Sequence, residues 1–242
     1  PEPDVLRLAS AKRLDDLDGI RWATLGILNQ AWPKENSGIE DRALRLAKAT
    51  VKRLRAADQS EEADAYEQAI EQAQKRDITA SVSWTGEADI DLSIQEPGGT
   101  VCSLQNRRTT AGGVILGDTY STGDDSGKYT ETYVCPRGFN GEYRLLIRRV
   151  WGEVTAGKVT VDIQTNNPDR PHIREQVPLG EKDALVLFDL TKGRRTEKLA
   201  QRHLENLDQP QAAADRSIVT RQLNRYDNSL ASGDFKRDRA YQ

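Results

Sequence analysis

From Ile78 onward the hydrophobic period of the chain changes from about 3.6 to about 2, so one kind of secondary structure cannot serve both halves. Before that point, Leu44, Ala47, Val51 and Leu54 recur at spacings of three and four, the stripe of an amphipathic helix. After it, Ile90, Leu92 and Ile94 alternate with Asp89, Asp91 and Ser93, and Val159, Val161 and Ile163 alternate with Lys158, Thr160 and Asp162. Alternation puts one face of a strand on a core and the other toward solvent. Leu145, Leu146 and Ile147 are apolar without a break, which predicts burial on both faces. Turn signals separate the runs at Pro97-Gly98-Gly99, Gly112-Gly113, Asp124-Asp125-Ser126-Gly127, Asn140-Gly141 and Ala156-Gly157. Short strands at this spacing predict an antiparallel sandwich of roughly eight strands.

Residues 1–76 are expected to form a helical unit of about three helices. Leu14, Leu17, Leu25 and Leu28 share one face of a first helix that must stop near Pro33. Ser37 and Glu40 have capping-box spacing before the second helix. Ala63, Tyr66, Ile70 and Ala73 form the apolar face of a third. Short connections make the helices antiparallel neighbours. Their small residues and lone tyrosine suggest tetratricopeptide-like hairpins, although no 34-residue repeat is present. The β-region is placed at 77–190, with strands expected at His172–Leu179 and Ala184–Leu190. Residues 191–242 read as a short helix and an extended docking tail. Few large apolar groups lie in the tail: Ile218, Leu223, Tyr226, Leu230 and Phe235 are the candidate partner-binding residues. The fold class is thus α+β, a helical bundle followed by an antiparallel sandwich and a C-terminal arm.

The chain has 242 residues and a formal net charge of −3, with the β-region its acidic part. Bulk charge therefore does not favour nucleic acid, and no nucleic-acid partner is expected. No run approaches the apolar length of a membrane helix. Methionine is absent even at position 1, as expected of a processed or trimmed product.

Cys102 and Cys135 are the only cysteines, one on each side of a glycine-rich stretch. They favour a disulfide between two strands; the alternative is a pair of buried free thiols in a reducing compartment. Zinc is disfavoured, since only His172 and His203 are available and neither is near a cysteine in sequence. Asp89 and Asp91 point to one strand face, and Asp118 and Asp125 follow in turn-rich sequence. Hard oxygen donors of this kind suit calcium, although the spacing matches no EF-hand; otherwise Asp89 and Asp91 are the solvent face of an edge strand. The segment Asn106-Arg107-Arg108-Thr109-Thr110 has the composition of an anion site or of a self-bonded loop. Arg148-Arg149 and Arg194-Arg195 read as solvated faces, and Trp22, Trp32, Trp84 and Trp151 as core anchors. No Gly-x-Ser-x-Gly elbow or nucleophile beside a histidine is present, so no enzymatic activity is expected.

Three stretches, Trp84 to Gly99, Asn106 to Gly113 and Gly141 to Ile147, together resemble the YfaP-like family of bacterial β-sandwich domains over roughly residues 78–165. The longer pattern adds Cys102, Cys135-Pro136-Arg137-Gly138 and Val186 to Arg194, and is similar to a variant in large exported planctomycete proteins. The resemblance implies an Ig-like sandwich and a periplasmic or cell-surface setting. It brings no catalytic residues. The expected function is a structural or adaptor subunit of a larger cell-envelope assembly, whose partners are other protein subunits. The alternative is a calcium- or carbohydrate-binding module.

Overall fold

The computed structural model describes residues 3–32, 36–116, 127–180 and 183–197. The architecture is α+β, with four helices followed by two antiparallel sheets. The helices are α1 (Pro3–Leu14), α2 (Leu17–Leu28), α3 (Ser37–Ala56) and α4 (Ser60–Gln74).

The expected first helix is two helices. Asp15 turns the chain with a φ of 54°, and the Asp16 carboxylate caps α2 by accepting the Gly19 N–H at 2.9 Å. An aspartate tolerates the left-handed backbone region that most side chains avoid, so two adjacent aspartates end one helix and start the next. Leu14, on the far side of that break, is exposed rather than on a shared apolar face. The side chain of Ser37, half of the expected capping box, lies outside what the structure describes. The α3 N-cap is Asn36, and the Glu40 carboxylate accepts from Arg76 at 3.1 Å. The faces of α3 and α4 match their stripes: Ala47, Val51 and Leu54 pack against Ala63, Tyr66, Ile70 and Ala73 in one core with Ile27, Leu28 and Trp32. Inside it the Tyr66 and Thr24 hydroxyls hydrogen-bond at 2.6 Å, and Thr24 also donates to the Ile20 carbonyl.

Nine strands lie among the described residues: β1 (Ile78–Thr85), β2 (Ala88–Gln95), β3 (Val101–Cys102), β4 (Val114–Ile115), β5 (Lys128–Cys135), β6 (Gly141–Gly152), β7 (Lys158–Thr165), β8 (His172–Pro178) and β9 (Ala184–Leu190). One sheet has the order β4-β5-β1-β7-β8 and the other β3-β2-β6-β9. Their inner faces share one core, in which Ala80, Val82, Tyr133, Val161 and Ile163 of the first sheet meet Ile90, Leu92, Ile94, Leu145 and Phe188 of the second. Leu146 points the other way and is buried with Val101 and Leu185, so β6 is apolar on both faces as its sequence predicts. Among the described residues no helix is long and apolar enough to cross a membrane.

The disulfide expected between Cys102 and Cys135 is not formed. Both are free, buried thiols, one ending β3 and the other ending β5 in the opposite sheet. The Cys102 thiol donates to the Arg107 carbonyl at 3.5 Å. Burial pushes both thiols well above their ordinary pKa, with the nearby Glu96 carboxyl adding to the shift. Neutral thiols of this kind act as small apolar groups of the core.

Trp32 and Trp84 are core anchors as expected, and the Trp84 indole donates to the Ala88 carbonyl at 2.8 Å. Trp22 and Trp151 are not: both are about half exposed, at 49% and 47%. The Arg7 guanidinium lies 4.1 Å from the Trp22 ring centroid and covers part of it.

Candidate binding cleft between the helices and the sheets

The helical unit and the sheets are joined through Asp77, the residue before β1. Its side chain is fully buried, and four donors converge on it. The Gly138 and Arg194 backbone N–H groups donate to Oδ2 at 2.9 and 2.8 Å; the Arg194 Nε and the Asn166 amide donate to Oδ1, each at 2.6 Å. The rest of the Arg194 guanidinium donates to the carbonyls of Gln72 and Lys75 at 2.8 and 2.7 Å, and to that of Pro136. One ion pair thus ties the end of α4, the exit of β5 and the segment after β9. A planar fork of donors suits this task better than a point charge. Arg194 is therefore an internal lock rather than the solvated residue its sequence suggests.

Arg76 reinforces the joint from the other side. Its guanidinium donates to the carbonyls of Leu28, Gln30, Ala73 and Lys75 and to Glu40. Burial raises the Glu40 carboxyl despite this pairing. Arg108 reaches from the sheets back to the helices: it donates to the Gln30 side-chain oxygen at 2.9 Å and the Ala31 carbonyl at 3.1 Å, and lies over the Trp32 ring. Ala31 packs with Val114, Val134 and Leu116 beneath it.

A cleft of about 280 Å³ opens at this joint. It is lined by Asn29, Gln30 and Ala31 from the segment after α2, by Arg108, Thr109 and Gly112 from the loop before β4, by Val114 of β4, and by Pro136, Arg137, Arg195 and Glu197 from the strand exits. Two glycines let those exits touch: a Cβ on Gly193 would collide with the Gly138 carbonyl, and one on Gly138 would meet Leu190 and the Tyr143 hydroxyl. The Arg195 N–H then donates to the Gly138 carbonyl at 3.0 Å, which holds the segment after β9 against the exit of β5. The Arg195 guanidinium lies 5.1 Å from the Phe139 ring centroid, and Arg137 donates to the Arg194 carbonyl at 3.2 Å. Among the described residues neither forms an ion pair.

The loop that carries Arg108 is held by a buried acid. Glu96 is 3% exposed. Its Oε1 accepts from the Tyr133 hydroxyl at 2.7 Å and the Thr109 hydroxyl at 3.0 Å, and its Oε2 accepts from the Thr100 hydroxyl. Gly113 passes so close that a Cβ there would collide with the Glu96 carboxyl and the Tyr133 ring. Desolvation raises the Glu96 pKa, and the hydrogen bonds from Thr100, Tyr133, Thr109 and Gly113 oppose it without cancelling it. Burial likewise pushes the Tyr133 and Tyr143 hydroxyls up. The segment Asn106 to Thr110 is in part the self-bonded loop that its composition allowed: the Asn106 amide donates to the Val101 carbonyl at 2.8 Å, while Arg108 faces the cleft.

The other sequence candidates lie apart from this cleft. Asp89 and Asp91 do share the outer face of the four-stranded sheet, but the Asp91 carboxylate accepts from Arg148, across the β2–β6 pair, at 2.7 Å. Asp118 and Asp125 lie outside the described residues, as do Ile218, Leu223, Tyr226, Leu230 and Phe235. Among the described residues no group of three or more His, Cys, Asp or Glu side chains gathers as a metal site. His172 pairs with Asp162 at 3.1 Å beside a second cleft, of about 590 Å³, that Arg76, Thr79 and Asn166 also line. Comparison with family models, with curated proteins and with solved structures found no match to this chain.

Sequence reasoning missed Asp77, Glu96, Arg137 and Arg195. Glu96 had a signal: Ile90, Leu92 and Ile94 set the inward parity of β2, and Glu96 is the next inward position. Asp77 and Arg194 are 117 residues apart, and local pattern does not pair them.

Proposed function

We propose that this protein is a non-enzymatic adaptor subunit of a larger extracytoplasmic assembly, holding partner proteins on a rigid body built from tetratricopeptide-like hairpins and an Ig-like sandwich. The observation that carries the reading is the Asp77–Arg194 lock, which fixes two units of different architecture against each other and leaves a cleft lined from both. A composite surface of this kind keeps its shape only if the units do not move apart, which suits recognition of another chain. The perturbed titratable groups support the same reading. Glu96, Tyr133, Tyr143, Cys102 and Cys135 are enclosed in the core, and their contacts order loops and strands. The exported setting rests on the resemblance to YfaP-like domains alone; the free thiols of Cys102 and Cys135 fit a reducing compartment and count against it. The tail, with Ile218, Leu223, Tyr226, Leu230 and Phe235, serves in this reading as a docking arm; an arm of about 30 residues can bury roughly 1,000 Å² on a partner.

Deleting residues 208–242 tests the arm. The expected result is a chain whose sheets stay folded and whose partners no longer co-purify. Retention of every partner after that deletion would refute the arm's role.

A further inference from the structure

Resting on the adaptor reading, we infer that the cleft between the helices and the sheets takes a carboxylate-bearing segment of a partner protein, held by Arg137 and Arg195. Both guanidiniums line one cleft of about 280 Å³, and among the described residues neither has a carboxylate partner. Two cationic side chains lining one cleft give it a positive field that an anion neutralises. A guanidinium presents paired N–H donors that match the two oxygens of a carboxylate, so an acidic side chain meets two such forks at once. Asn29 adds a polar side chain to the same lining, and Ala31, Val114 and Pro136 give the carbon stem of a bound segment an apolar wall. That mixed lining fits an acidic side chain on a polypeptide better than a free inorganic ion.

The position is also preorganised. Phe139 supports Arg195, the Arg194 carbonyl holds Arg137, and both residues sit next to the Asp77 lock. Glu197 at the edge would repel a second acid and so favours an isolated carboxylate over an acidic run. The chain's own tail is the less favoured occupant by charge: residues 198–242 contain eight basic and six acidic residues, a net positive balance.

The test is a calorimetric titration of the full chain with an end-capped peptide of glycines around one central glutamate. The same peptide with glutamine and inorganic phosphate serve as further probes. The expected result is saturable binding of the glutamate peptide, weakened at least tenfold by the glutamine replacement, by raised salt and by the double variant Arg137→Gln/Arg195→Gln. If the double variant unfolds, the single variant Arg137→Gln decides, because that exposed side chain makes one backbone contact. Absence of saturable binding, or equal binding by the folded variant, overturns the inference. Saturation by phosphate but not by the peptide overturns the assignment to a polypeptide. Failure of the adaptor reading shows elsewhere, as a wild-type chain that purifies without partners whatever the peptide does.

Discussion

Replacing Arg194 by methionine removes the guanidinium that locks the two units while keeping most of the side chain's bulk. The variant leaves Asp77 fully buried without its 2.6 Å ion pair, and the carbonyls of Gln72, Lys75 and Pro136 without their donor. Removing one partner of a fully buried pair costs about 3–5 kcal/mol. Two features reduce that here: the Arg194 side chain is 26% exposed, and Asp77 keeps the N–H groups of Gly138 and residue 194 and the Asn166 amide. The expected loss is therefore about 2–4 kcal/mol. For a chain of this length that lowers the melting temperature by roughly 6–12 °C. Urea and thermal melts followed by circular dichroism read the loss. Limited trypsin digestion reads its location, because Lys75 and Arg76 lie at the joint and cleavage there speeds up when the lock is gone. A variant within about 0.5 kcal/mol of wild type, with tryptic cleavage unchanged at the joint, would refute the role given to Arg194.

Three further perturbations address separate parts of the structure. Because burial raises the Glu96 pKa in the folded state, the folded chain holds a proton that the unfolded chain has lost, so stability is greatest below the unfolded value of about 4.5 and falls as pH rises through the folded one. Its slope reaches at most about 1.4 kcal/mol per pH unit, and Glu96→Gln is expected to flatten it in pH-dependent urea melts; an unchanged profile contradicts the buried-acid description. Cys102 and Cys135 are expected to resist a thiol reagent in the native state and to react, both of them, in denaturant without reductant; no reaction in denaturant would restore the disulfide. Asp91→Asn removes a cross-strand pair that is partly open to solvent, and is expected to cost under about 1 kcal/mol in the same melts; a loss above about 2 kcal/mol would mean that Asp91 serves more than Arg148.

The elements with strong local patterns were legible in the sequence. The stripes of α3 and α4 and the alternation of β2 and β7 are written in neighbouring residues, and the core uses them as written. The break at Asp15-Asp16 was not read, because the leucines on both sides keep helical spacing across it and only the paired aspartates mark the turn. The cysteines misled because sequence separation says nothing of geometry, and the structure keeps them as separate core thiols. The cleft was largely invisible for the same reason. Arg108, Arg137 and Arg195 are distant in the chain, and only the return of the segment after β9 to the exit of β5 brings them together.

Native mass spectrometry of the full chain, purified at near-physiological ionic strength with and without chelator, tests the adaptor reading most directly. The reading predicts that the chain flies as part of a larger, reproducible protein complex that persists in chelator. Recovery of the free 27.0 kDa chain alone under both conditions would contradict it.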